Sequence, residues 1–356
     1  GKLYIRIDNP EAATKTLHEA LRIGSSIYGA DSTLMLEAAA SLLVAVSMVR
    51  RKKNSKSSLF KAFELALEGA GLSRDSMYEC IAQVADYLAE SEVLGMEIVE
   101  VEEFLRGCIG SQNSGNSFAT DSICRLAAFL SDQYRYVEAI DLRLIELSLR
   151  RDQYGDLDAS TLISLNSLAD DLNASGDPEA AEPLYRECLA GRIEVLGEEH
   201  PDAMASRYDL AGCLSALERY DEAIELRRIE LTWCEKENGP DDPDTLVSLG
   251  ALARDLSWND EYEEAEALYR QALGKSIASL GDDHNQTMGL RYGLARCLSV
   301  LERYEESIEL RRIELAWQRQ ANGDTNPGTI ASINGLAIDL RETGQLEEAE
   351  ALFREI

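Results

Sequence analysis

The chain has 356 residues, of which 45% are apolar and 28% charged, and its 65 acidic against 35 basic side chains give a formal net charge of −30. That balance repels phosphate backbones and excludes nucleic acid as the primary ligand, and it makes a basic protein or peptide the easier partner for the surface as a whole. Seven prolines amid abundant Ala, Leu and Glu favour helix throughout, and seven cysteines without a C-x-x-C spacing read as reduced thiols of a cytoplasmic protein.

In chain order, residues 10–28, PEAATKTLHEALRIGSSIY, read as the second helix of a pair that lacks its first. The most apolar run, LEAAASLLVAVSMV at 36–49, falls short of the ~20 residues of a bilayer span and contains Glu37, so it predicts a buried helix and no membrane segment. RRKK at 50–53 is the one dense basic run and reads as a solvated turn, with an anion contact or localisation signal as the alternative.

Beyond residue 113 the pattern becomes regular, and its step is 42 residues. Gly155, Gly197, Gly239, Gly281 and Gly323 recur at that step, and Asn113, Gly71 and Gly29 continue it backwards, so the phase is expected to run through the chain without insertion or deletion. Leu126, Leu168, Leu210, Leu252, Leu294 and Leu336 form one column, followed by an alanine column from Ala127 to Ala337 and a leucine column from Leu130 to Leu340. Spacings of i, i+1 and i+4 mark one face of a helix. A second helix follows in each unit, as in PEAAEPLYRECLAGRIEVL at 178–196, where small alanines let paired helices approach to ~8–10 Å. Polar residues before a proline, as in His200-Pro201, Asp242-Pro243 and Asn326-Pro327, predict capped helix starts. The fold class is therefore all-α, an α-solenoid of helix–turn–helix repeats of 42 residues.

The units alternate in two types. LERYDEAIELRRIELTW at 217–233 returns as LERYEESIELRRIELAW at 301–317, 84 residues later, which points to duplication of a two-unit block.

The strings GEEHPDAMASRYDLAGCLSALERYDEAIELRR and GPDDPDTLVSLGALARDLSWNDEYEEAEALYRQAL resemble the tetratricopeptide units of the kinesin light chain family. The resemblance is strong over 114–356, a regular array cut off in its last helix, and over 1–113, a divergent N-terminal part, only the phase survives. It implies a right-handed superhelix whose first helices line a concave groove that binds peptides or protein segments. In that family an L-N-N-L-A string supplies groove asparagines. Asn166 and Asn334 match its first asparagine, Ser167 and Gly335 replace the second, and Tyr208 and Tyr292 depart from it.

On each first helix, the residues two before and two after the leucine column point away from the second helix. Those columns give Asn166, Tyr208, Tyr292 and Asn334, then Asp170, Arg254 and Arg296, as the candidate partner-binding groove. Asn supplies donor and acceptor, Tyr a stacking surface, and Arg a two-point grip on a carboxylate, so a segment with acidic residues suits it.

No catalytic set, metal site or cofactor motif is expected. His200 and His284 occupy equivalent turns two units apart, on the order of 20 Å at ~8–10 Å per helix layer, and read as turn caps. Carboxylates beside arginines, as in YDEAIELRR at 220–228, read as solvated faces. Trp233 and Trp317 read as packing between neighbouring units. The leading functional expectation is a non-enzymatic interaction module. The alternative is a sensor or autoinhibitory array of a larger signalling enzyme, with uncapped ends covered by further chain, a partner or self-association.

Overall fold

A computed structural model describes residues 117–356 continuously, with 42–49, 102–106 and scattered positions between 13 and 67 before them. The basic run 50–53, His18 and the boundary at 113/114 lie outside the described residues, as does most of the opening helix expected over 10–28.

Two kinds of helix alternate along 117–356. First helices are α1 (Ser117–Asp132), α3 (Ala159–Ala174), α5 (Pro201–Ala216), α7 (Pro243–Trp258), α9 (Asn285–Val300) and α11 (Pro327–Glu342). Second helices are α2 (Tyr136–Tyr154), α4 (Pro178–Leu196), α6 (Tyr220–Glu237), α8 (Tyr262–Leu280), α10 (Tyr304–Asn322) and α12 (Leu346–Phe353). Among the described residues there is no strand. The chain divides into two compact units, residues 1–177 and 178–356.

Local chemistry sets the boundaries. Gly155 and Gly281 sit at φ 89° and 97°, a region that costs other residues steric strain, and each ends a second helix. The tighter turn inside each unit also needs a left-handed residue, which is Gly176 or Gly344 in two units but Tyr134, Glu218, Asp260 or Glu302 in the others. First helices open on a side-chain cap: Asp158, Asp242 and Asn326 each accept the backbone N–H two residues on, at 2.8–2.9 Å. His200 and His284 do the same through Nδ1, as expected of turn caps.

The alanine column Ala127, Ala169, Ala211, Ala253, Ala295 and Ala337 is fully buried, with the leucine columns around it. Within each of the two units every helix packs on its neighbours in sequence; in the second unit α7 also touches α9, and α9 touches α11. First helices thus form one layer there and second helices the other.

The two unit types have a physical basis. Arg227 of α6 is 1% exposed and its Nε donates to the buried Asp255 of α7. The same pairing recurs 84 residues on as Arg311–Asp339 at 2.8 Å, and 84 before as Arg143–Asp171 at 3.4 Å. At the intervening units the same positions hold Tyr185 with Cys213 and Tyr269 with Cys297, all buried. A companion column repeats the alternation: Glu146, Glu230 and Glu314 accept from Ser164, Ser248 and Ser332 at 2.7, 2.7 and 3.0 Å. The reading of YDEAIELRR as a solvated face holds for Asp221, Glu222, Glu225 and Arg228 and is corrected at Arg227, which is interior, as is Glu230 just beyond the string.

Outside, the second helices are linked by arginine–glutamate quartets. Arg186 bonds Glu182 at 2.7 Å and Glu222 at 2.8 Å, and Arg219 bonds the same two carboxylates at 2.7 Å. Arg270, Arg303, Glu266 and Glu306 repeat the arrangement. Arg186 holds the carboxyls of Glu182 and Glu222 below the usual carboxylate range, and Arg270 does so for Glu306. In the first unit the quartet is Glu102, Arg106, Arg135 and Glu138. A strict 42-residue step would place its first two members at 98 and 102, so the register slips by four residues, about one helical turn, ahead of α1. The expectation of a phase without insertion or deletion is corrected at that point.

Candidate functional site

The outward faces of the first helices carry the candidate residues, and each has its own environment. In the first unit, Asn166 of α3 donates to Asp170 one turn later at 3.1 Å, so the two steady each other on an exposed face. The other five lie in the second unit.

On α5, Tyr208 lies over the buried Arg227 guanidinium, 4.7 Å from ring centroid to Cζ. Beside it Gly212 leaves a gap, and a Cβ there would stand 3.8 Å from Arg227 Nη2. The Tyr208 ring is thereby held by a cation from behind.

Arg254 and Arg296 share a column and differ in environment. Arg296 of α9 stacks 4.0 Å over the Trp258 ring and donates to Ser257 Oγ at 2.9 Å. Arg254 of α7 has its side chain 51% exposed, and its nearest carboxylate oxygen, on Asp255, is 3.8 Å away. The cause lies in the sequence: Arg296 finds Trp258 at the end of the preceding first helix, whereas Arg254 finds Ala216 at the equivalent place. Arg296 is held against a ring and a hydroxyl, whereas Arg254 is half exposed with one long approach to a carboxylate. Tyr292, one turn before Arg296, is exposed, as is Asn334 on α11.

Contacts between α7 and α9 place Arg254, Tyr292 and Arg296 on neighbouring helices, with Asn334 on the next one along. Trp258 also belongs to this face and lies outside the two columns. It is 52% exposed and stands four residues after Arg254, a spacing that marks it from sequence.

Trp233 and Trp317, read as packing between neighbouring repeats, each donate the indole N–H to a carbonyl at the end of the preceding repeat, Glu199 and Asp283, at 2.9 Å. Met204, Ile229 and Trp233 line a cleft of about 490 Å³ there, whose cations Arg207, Arg228 and Lys236 are each engaged by a neighbouring oxygen.

Among the described cysteines, burial makes the thiols of Cys124, Cys213, Cys234 and Cys297 poorly suited to nucleophilic work. Burial pushes the Cys213 thiol up to about 11 and that of Cys234 up to about 12, far from the thiolate range needed for attack at neutral pH. In the folded chain at about pH 8, iodoacetamide is expected to leave Cys213 and Cys234 unmodified, while the urea-unfolded chain reacts at both, as read by peptide mass spectrometry. Among the described residues no group of His, Cys, Asp and Glu could hold a metal ion, and no helix is long and apolar enough to cross a membrane.

Comparison with known proteins places this architecture. Family models described as tetratricopeptide repeat match residues 161–202, 202–276 and 286–356, together more than half of the chain. The mouse (Mus musculus) protein named tetratricopeptide repeat protein 19, mitochondrial, is 26% identical over 255 residues, 65% of this chain and 68% of that protein. A solved structure of Podosopora anserina putative kinesin light chain repeats is 26% identical, with TM-score 0.52, covering 56% of this chain and 94% of that one. The apo quorum sensor NprR of B. thuringiensis shares the fold at 12% identity and TM-score 0.55, over 93% of this chain and 98% of its own. NprR in complex with its cognate peptide NprX gives 14% identity and TM-score 0.50, over 88% of this chain and 86% of that one. These similarities spread over several proteins and single out none of them. The repeat assignment supports a non-catalytic scaffold, and the chain belongs to the tetratricopeptide repeat family.

Proposed function

We propose that this chain is a protein-interaction module that takes a peptide or protein segment along a groove formed by its first helices. The observation that carries the reading is the exposed Arg254 beside the Trp258–Arg296 stack and Tyr292, a cationic and aromatic surface on a chain of net charge −30. Arg and aromatic side chains are the types that most often anchor a partner, and an acidic side chain in the segment meets Arg254 without displacing an existing strong bond. The fold in which NprR holds its cognate peptide is consistent with this use.

The experiment is capture of partners by the wild-type chain and by the Arg254→Glu/Arg296→Glu variant, followed by titration of the recovered segment. At unchanged thermal stability the variant is expected to bind about 30-fold more weakly or worse, as for the loss of an interface anchor. Equal affinity in a folded variant removes the groove from consideration.

A second reading, a sensor or autoinhibitory array within a larger signalling protein, draws on the likeness to the quorum sensor NprR. The reduced-thiol reading of the sequence fits the cytoplasm, whereas the mouse relative carries a mitochondrial name; fractionation of the tagged chain separates the two addresses.

A further inference from the structure

We infer that alternate repeats carry a proton-sensitive helix cap, so that acidification loosens the leading turns of α5 and α9 while α7 and α11 stay capped. His200 Nδ1 accepts the Asp202 N–H at 3.1 Å, and His284 Nδ1 accepts the Gln286 N–H at 3.3 Å. In the neighbouring units the same place is filled by oxygens, from Asp242 and Asn326. A carboxylate or amide oxygen goes on accepting in mildly acid solution. An imidazole nitrogen accepts only while it carries no proton. Protonation of Nδ1 sets a donor against a donor and places a positive charge at the positive end of the helix, and both effects oppose the cap.

The charged surroundings differ between the two histidines. Near His200 lie the Asp202 carboxylate, 3.8 Å from Nδ1, the Glu199 carboxylate held by Lys236 of α6, Arg207 on the Glu198 carbonyl, and Arg192 of α4 on the Asp202 carbonyl. Near His284, Asp282 is held by Arg291, and the Asp283 carbonyl takes the Trp317 indole of α10. Gln286 stands where Asp202 stood. His200 therefore has the Asp202 carboxylate within reach, whereas the equivalent neighbour of His284 is the uncharged Gln286. These two helices present Tyr208, Tyr292 and Arg296, so the device acts on the face proposed above; the inference does not require that face to bind anything.

The cap contributes fully while both imidazoles are uncharged and is lost on acidification. The test compares wild type, His200→Asn/His284→Asn and His200→Ala/His284→Ala by thermal melting at about pH 7.5 and about pH 5.5, a window in which ordinary carboxylates stay ionised. Wild type is expected to lose roughly 3–8 °C of Tm across the window. The asparagine variant is expected to hold its Tm, and the alanine variant to melt low at both values. His18 and every buried carboxylate are common to the three proteins and cancel in the comparison. Amide exchange in wild type locates the effect without any substitution: exchange corrected for pH rises at 202–205 and 286–289 relative to 244–247. A wild type with no Tm loss, an asparagine variant that loses as much, or an exchange rise shared equally by α7 overturns the inference.

Discussion

Replacing Asp255 by alanine is expected to lower the stability of the second unit by about 3–5 kcal/mol, the usual result of stranding one member of a buried ion pair. Arg227 is 1% exposed and Asp255 fully buried, so the remaining guanidinium would keep its charge with neither water nor carboxylate to meet it. The chain contains its own remedy. Arg227→Tyr combined with Asp255→Cys installs the pair used at 185/213 and 269/297, and this double change is expected to recover most of the loss. Urea denaturation followed by tryptophan fluorescence reads both effects, since Trp233 and Trp258 lie on the two helices that the pair joins. Equal instability of the single and double variants would mean that the alternation is an inherited accident rather than a matched set.

The second prediction sets helix propensity against packing within one helix. Gly289 and Gly293 both lie inside α9. A Cβ at Gly289 meets nothing within 4 Å, so Gly289→Ala is expected to stabilise by roughly 0.5–1 kcal/mol through propensity alone. A Cβ at Gly293 would lie 2.4 Å from Cζ of Tyr269, a ring that is 4% exposed and cannot swing aside. Gly293→Ala is therefore expected to destabilise by about 1–3 kcal/mol despite the same propensity gain. Calorimetry of the two variants should move Tm in opposite directions. A shift in the same direction would show that Tyr269 yields easily and that the interior beside α9 is loosely packed.

Much of this architecture was legible because the repeat writes each structural role many times. Columns of leucine and alanine, turn glycines and polar residues before proline each name a helix face, a helix end or a helix start. The buried arginines were harder. In LRR at 226–228 a single arginine looks like any other surface residue, and one position decides which of the two is interior. Reading down the column settles it: Tyr185 and Tyr269 stand where Arg143, Arg227 and Arg311 stand, and an aromatic at that step marks the core side. The candidate face was legible as a set of positions but not as a set of environments. Arg254 and Arg296 are equivalent by sequence, and the neighbouring residue at the preceding helix end, Ala216 or Trp258, decides which of them has a ring to stack on. The slip of four residues ahead of α1 shows only in which side chains Arg135 and Glu138 meet, namely Glu102 and Arg106.

The alternating interior pairs give the array a parity. Excising residues 243–284, a single unit, would bring Arg227 against Cys297 and leave the cation without a carboxylate. Excising residues 243–326, twice that length, would bring Arg227 against Asp339, a join the chain already makes elsewhere. Such an array can shorten or lengthen in even steps and keep its interior whole, while odd steps strand a charge at the seam.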